Sequence, residues 1–173
     1  MGYIRQPNYY TCGPTALYNL LTYCNAHCRE LSFRKLIELC KCDSIMGTRS
    51  VDFQVALKKV CAHAGVSYAS ITECTVDQII QKLRAGFPVI LEYHWKINEL
   101  GLKDEHYVLL TGNWRGTSVE IINNNGDGAV GEWISYRELE ELLIPYRYPL
   151  NGRYENIEDR AYPKGWYIFP HST

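Results

Sequence analysis

The chain contains no run approaching the roughly 18 consecutive apolar residues that a membrane span requires. It has no block of lysine or arginine, and its formal net charge is −1. Binding to nucleic acid or to an anionic membrane through a basic surface is therefore not expected. The opening residues, Met1-Gly2-Tyr3-Ile4-Arg5-Gln6, lack the apolar stretch of a secretory signal. Gly2 stands where a myristoyl chain would attach, but Gln6 occupies the position that wants Ser or Thr. These absences predict a protein that works in the cytoplasm without membrane insertion. A repeat, a low-complexity tract and a linker are also missing, so residues 1–173 are expected to form one domain.

Residues 75–173 contain no cysteine at all. The seven thiols, Cys12, Cys24, Cys28, Cys40, Cys42, Cys61 and Cys74, crowd the first part of the chain. An odd number without a secretion signal argues for reduced thiols rather than a disulfide frame. The asymmetry suggests a cysteine-bearing helical part, about 1–86, and a strand-rich part, about 87–173.

Hydrophobic periodicity supports that division. Residues 12–26 read as one helix with Ala16, Leu17, Leu20 and Leu21 on a stripe, and Ser32 to about Lys41 as a second with Ser32 as N-cap. A third helix is predicted from Ser50 to Ala64, ending before Gly65, and a fourth after Thr75, stopped by Gly86 and Pro88. Strands are predicted at Pro88–Tyr93, His106–Leu110, Val119–Asn123 and Gly165–Phe169, with a short helix at Ser135–Leu143. Helices first and antiparallel strands after make an α+β chain. The helical part is expected to pack on a small antiparallel sheet.

The chemistry starts at Gln6 and at Cys12-Gly13-Pro14, which open the first helix. A helix N-terminus offers unpaired N–H groups and about half a positive charge, which favour thiolate over thiol. Pro14 fits the first turn, where its missing N–H is not needed. Cys12 is thus a candidate nucleophile, and Gln6 a candidate donor to a developing oxyanion. The competing reading of Cys12 is a buried, inert thiol in the core.

A thiol nucleophile needs a base. His171 falls in a tail, His27 in a loop, and His63 on a helix among core-like neighbours, while His94 ends a strand. His106 begins a strand directly after Lys103-Asp104-Glu105, where its ring could face a cleft. If the following hairpin turns on Trp114-Arg115, His106 lies opposite Asn123 on one face of the sheet, within about 5.5 Å between Cβ atoms. Asn123 would then orient the imidazole and leave its other nitrogen for Cys12. A different register would substitute Asn124, and Asp127 is a further candidate.

Gln6, the Cys12-Gly13-Pro14 helix start and the downstream His106-Tyr107-Val108-Leu109-Leu110-Thr111-Gly112 together resemble the papain-like cysteine peptidases. More narrowly, the chain is similar to the bacteriocin-processing (double-glycine leader) peptidase family and its stand-alone relatives. The likeness runs over about residues 6–143 and includes Gly86-Phe87-Pro88-Val89-Ile90 and Trp133-Ile134-Ser135. It implies a papain-like fold with Cys12 as nucleophile, His106 as general base, Gln6 as oxyanion donor and an Asp or Asn orienting the histidine. That family generally shows Asp-Pro where this chain has Asn123-Asn124, whereas papain itself uses Asn. The implied activity is hydrolysis of a peptide bond in a peptide or protein substrate, through an acyl-enzyme and without metal or organic cofactor.

Three other readings compete. Cys24, Cys28, Cys40 and Cys42 with His27 could form a zinc site, although the Cys40/Cys42 spacing is tight for one; thiols packed between helices are the alternative. The same scaffold could pass its acyl group to an amine or thiol, or could bind peptides without cleaving them. The Tyr-rich stretch Tyr146, Tyr148, Tyr154 and Tyr162 is a candidate to wall the cleft, cover it or serve a partner, and Trp95–Leu102 is a candidate loop beside the site.

Overall fold

Caps and glycines decide where the helices begin and end. The computed structural model describes residues 2–27, 29–71, 74–95, 104–123, 130–143, 149–150, 153–154 and 163–170. Helix α1 (Cys12–Tyr23) starts at Cys12 as predicted but stops at Cys24, because Asn25 turns left-handed at φ 51°. Helix α2 (Phe33–Leu39) is capped by the Ser32 hydroxyl, which accepts from the Lys35 N–H at 3.4 Å. Helix α3 (Ser50–Ala64) is closed by Gly65 at φ 66°, a conformation that costs glycine little. Thr75 caps α4 (Val76–Arg84), and a reciprocal Ser135/Glu138 capping box opens α5 (Tyr136–Leu142).

The strands are β1 (Val66–Ser70), β2 (Val89–Trp95), β3 (Asp104–Arg115), β4 (Ser118–Ile122), β5 (Gly131–Ile134), the two-residue β6 (Pro149–Leu150) and β7 (Arg153–Tyr154), and β8 (Lys164–Pro170). Six form one antiparallel sheet in the order β1-β8-β2-β3-β4-β5, while β6 pairs only with β7. The chain is α+β. The sheet is larger than the sequence predicts, since β1 and β5 are added at its edges, and β1 comes from within the stretch read as helical.

Both faces of this sheet are covered. Helices α1, α2 and α3 pack against Ile90, Tyr107, Leu109, Ile122, Trp166 and Ile168. Helices α4 and α5 pack against Val89, Leu91, Tyr93, Val108, Leu110 and Ile121 on the other face. Burial on both sides explains why β2 and β3 read as continuous apolar runs instead of alternating ones. Helix α4 lies across the sheet from α1–α3. The Phe53 ring stacks on Tyr107 at 4.2 Å between centroids, tying α3 to the middle of the sheet. Among the described residues, no helix is long and apolar enough to cross a membrane.

The hairpin between β3 and β4 differs from the predicted one. Arg115 pairs with Ser118, so the turn falls on Gly116-Thr117, with Gly116 at φ 62° as tight hairpins demand. A register shift between Leu110 and Trp114 follows, around Gly112 at φ 78°. Leu109 consequently opposes Ile122. One step further along, Asn123 falls opposite Val108 rather than His106, which corrects the predicted pairing.

Candidate active site

The N-terminal segment is threaded past α1 by amide side chains. Asn19, fully buried in α1, accepts from the Ile4 N–H at 2.8 Å through Oδ1 and donates to the Ile4 carbonyl at 2.9 Å through Nδ2. Gln6, two residues on, is held the same way by Asn123 at the end of β4. Its main-chain N–H donates to Asn123 Oδ1 at 2.9 Å, and Asn123 Nδ2 donates to Gln6 Oε1 at 3.0 Å. The Gln6 side-chain nitrogen takes part in neither bond.

His106 lies two residues inside β3, not at its first residue, and its Nε2 is 2.6 Å from the main-chain oxygen of Asn123. The predicted pair is therefore brought together, but through the main chain. The Asn123 carbonyl meets the imidazole while its side chain faces Gln6. Asn123 is at φ 65°, a left-handed conformation that Asn enters more readily than most residues, and its N–H donates to the Val130 carbonyl at 2.9 Å. The Tyr93 ring stands edge-on to His106 with centroids 5.6 Å apart.

Cys12 occupies the first turn of α1, as the sequence predicts. Thr11, which precedes it, spends its hydroxyl on the Asn8 carbonyl at 3.2 Å and makes no side-chain cap. The first N–H groups of α1 are thus left facing the thiol. Burial nevertheless dominates, since Cys12 is only 4% exposed, and desolvation pushes its pKa up to about 12. The main-chain N–H groups of Tyr107, Gly13 and Cys12 itself pull the other way. The sulfur consequently lies against Tyr107, the neighbour of His106 in β3, and near the Tyr93 phenol. Burial thus opposes the thiolate that the helix terminus favours, since loss of water around sulfur disfavours the charged form.

Gln6 and His106 are similarly secluded, at 8% and 2% exposure. The sequence reading passes over three further residues. Asn19 had a visible signal as a lone amide within an apolar helical run. Tyr93 reads as one more apolar strand residue. Thr48 lies so close to Gly13 that a Cβ there would come within 2.7 Å of its side chain, a contact with no local signature.

Asn124, Asp127, Cys28, His171 and residues 96–103 lie outside the described residues, as do Tyr146, Tyr148, Tyr162 and the side chains of His94, Trp95 and Tyr154. His63 is exposed at the end of α3, not set among core residues as predicted. His27 Nε2 is 2.7 Å from the Thr22 hydroxyl, and the Cys42 thiol donates to the Tyr10 carbonyl at 2.9 Å. Cys40 and Cys61 are buried in the α1–α3 core, and Cys24 packs beside it. Among the described residues, no group of three or more His, Cys, Asp or Glu side chains is arranged to hold a metal ion.

The Cys12 sulfur thus lies against Tyr107, the strand neighbour of His106, and comparison with known proteins gives the chain a family. The chain belongs to the Peptidase_C39 like family, whose model matches residues 1–142. Its fold is similar to that of a double glycine motif protease from an AMS/PCAT transporter, solved in complex with the leader peptide. That likeness has a TM-score of 0.57 and 18% identity over 96% of this chain and 89% of the other. A candidate C39-like peptidase from Bacillus anthracis is similar with a TM-score of 0.59 and 14% identity, over 99% of this chain and 95% of that one. No curated protein matches the chain.

Proposed function

We propose that this protein is a cysteine peptidase acting on a peptide or protein substrate, with Cys12 as nucleophile, His106 as general base and Gln6 as oxyanion donor. The observation that carries the reading is the hydrogen-bonded path Gln6–Asn123–His106, together with the Cys12 sulfur lying against Tyr107, the next residue of β3. A carbonyl oxygen only accepts, so His106 Nε2 carries a proton and Nδ1 keeps its lone pair. Nδ1 takes the Cys12 proton as sulfur attacks the substrate carbonyl, so a resting thiol with a raised pKa is compatible with general-base activation. The oxyanion accepts from Gln6 Nε2 and from the Cys12 N–H. His106 then gives its proton to the leaving amine as the C–N bond breaks, and water releases the acyl group.

The similar fold of a protease bound to a leader peptide supports a peptide ligand for this site. Free thiols at Cys12, Cys24, Cys40, Cys42, Cys61 and Cys74 suit a reducing compartment, in keeping with a cytoplasmic enzyme whose residues 1–173 act as one unit. The test is a peptide-library cleavage screen read by mass spectrometry, comparing wild type with Cys12→Ala, with and without added amines. Hydrolysis products from wild type alone are the expected result. Amine adducts in place of acids would make the protein an acyltransferase, and retention of peptides without cleavage would make it a binding module.

A further inference from the structure

The two bonds between Gln6 and Asn123 determine which end of the Gln6 amide faces Asn123 and which is turned away from it. A main-chain N–H can only donate, so the Asn123 atom 2.9 Å from the Gln6 nitrogen is its carboxamide oxygen. The other end of that amide is then Nδ2, which also can only donate. The Gln6 atom 3.0 Å from it must be Oε1. The Gln6 NH2 group is therefore turned away from Asn123. Its direction is dictated by Gln6's own main-chain N–H, relayed through the Asn123 carboxamide. Asn123 is fully buried, so water does not compete for either bond.

We propose that Asn123 is a positioning residue for Gln6, its carboxamide locking the Gln6 NH2 toward the site of the oxyanion while only its main-chain carbonyl serves His106. The proposal rests on the reading of Gln6 as the oxyanion donor. It differs in sign from a role in which the Asn123 side chain orients the imidazole. An ionised aspartate at 123 would still accept from the Gln6 N–H but would have nothing to donate to Oε1. The Gln6 amide would rotate by half a turn to offer Nε2 to the carboxylate. Both hydrogen bonds would survive, and an oxygen would replace the donor at the oxyanion site. A side chain that oriented His106 would instead gain from becoming an aspartate.

The experiment uses the full chain and a peptide found in the cleavage screen. Asn123→Asp is expected to lower kcat about 100-fold, the usual loss for one oxyanion donor, with KM nearly unchanged. On a Gln6→Ala background, Asn123→Asp should cost nothing further. Wild-type activity in Asn123→Asp, or losses that multiply in the double variant, would overturn the proposal. Asn123→Gly tolerates φ 65° and keeps the carbonyl for His106. It should show a smaller kcat loss, again absent on the Gln6→Ala background, and it decides the matter if Asn123→Asp melts below the assay temperature. A side-chain amide NMR spectrum reads the same switch without turnover. The Gln6 NH2 protons should move downfield and become protected from exchange in Asn123→Asp, and unchanged signals would overturn the proposal. Failure of wild type to cleave any peptide would sink the peptidase reading, while the NMR result would still judge the clamp.

Discussion

The imidazole Nε2 of His106 is 2.6 Å from the main-chain oxygen of Asn123, so the ring is oriented by backbone. Backbone contacts are insensitive to side-chain replacement, and this one fixes the tautomer with the proton on Nε2. The imidazole nitrogens of His106 in the resting protein should give the 15N shifts of the Nε2–H form, and Asn123→Gly should leave them unchanged. Removing the base by His106→Ala should lower kcat by about 10⁴-fold or more without changing the fold, in line with loss of one member of a nucleophile–base pair. Retention of more than a hundredth of the activity would transfer the role of base to another group.

Buried thiols make the stability of this chain pH-dependent on the alkaline side. Burial pushes Cys12, Cys61 and Cys74 each up to about 12, from an ordinary value of 9.0. Below pH 9 both folded and unfolded chains keep these protons, and stability is unaffected. Above it the unfolded chain releases them first, so stability falls as pH rises toward 12. In reducing buffer the Tm should be level up to about pH 8.5 and should then decline. Cys61→Ala lowers the Tm at neutral pH by opening a cavity, yet its decline with pH should be shallower than that of wild type. Parallel curves would show that Cys61 titrates normally.

The contrast between helix ends and strand pairing shows how much of this molecule is written locally. Ser32, Thr75 and Ser135 are followed three residues later by the N–H groups they accept from, so those starts could be read directly. The strand Val66–Ser70 could not, because its partner is Lys164–Pro170, about a hundred residues away, and only that pairing makes it a strand. The hairpin register differs from the predicted one by two because the turn falls on Gly116-Thr117, which displaces the pairing by four, and the shift between Leu110 and Trp114, where the chain passes α4, takes back two. A Cβ at Gly112 would lie 3.3 Å from the Leu83 carbonyl. In the site, residue types and spacing pointed to Gln6, Cys12, His106 and Asn123. What they could not convey was burial, which reverses the electrostatic expectation for Cys12, or which atom of Asn123 meets which neighbour.

Gly13 is constrained by packing and not by its backbone. An added Cβ would lie 2.7 Å from both Cγ2 and Oγ1 of Thr48 and 2.8 Å from its Cβ, closer than any real contact. Gly13→Ala should cost about 1–3 kcal/mol through overpacking, and it should also reduce kcat, because Cys12 is its neighbour in the first turn. Since the conflict reaches the Thr48 Cβ itself, Thr48→Ser should not relieve it, whereas Thr48→Gly should. Gly13→Ala/Thr48→Gly is thus expected to be more stable than Gly13→Ala, although Thr48→Gly alone destabilises the wild type. Thermal melts of the four proteins check this, and additive losses would mean that the chain yields elsewhere.

Phe53 links α3 to the strand that carries His106. Its ring is fully buried, stacks on Tyr107 at 4.2 Å and lies 5.4 Å from Trp166. Phe53→Ala should cost about 3–5 kcal/mol, the range for emptying an aromatic site in a packed core. Against a total stability of about 5–15 kcal/mol for a typical domain, that leaves the variant marginal. Phe53→Leu fills most of the space and loses mainly the ring stacking, about 0.5–1.5 kcal/mol. Because Tyr107 offers its N–H to the Cys12 sulfur, a shift of β3 in the alanine variant should also reach the thiol. Denaturant melts should order the proteins as wild type, Leu, Ala. At denaturant-free temperatures where all three are folded, kcat should fall in the same order. A Phe53→Ala protein as active and as stable as Phe53→Leu would show that the stack contributes neither to the fold nor to the placement of β3.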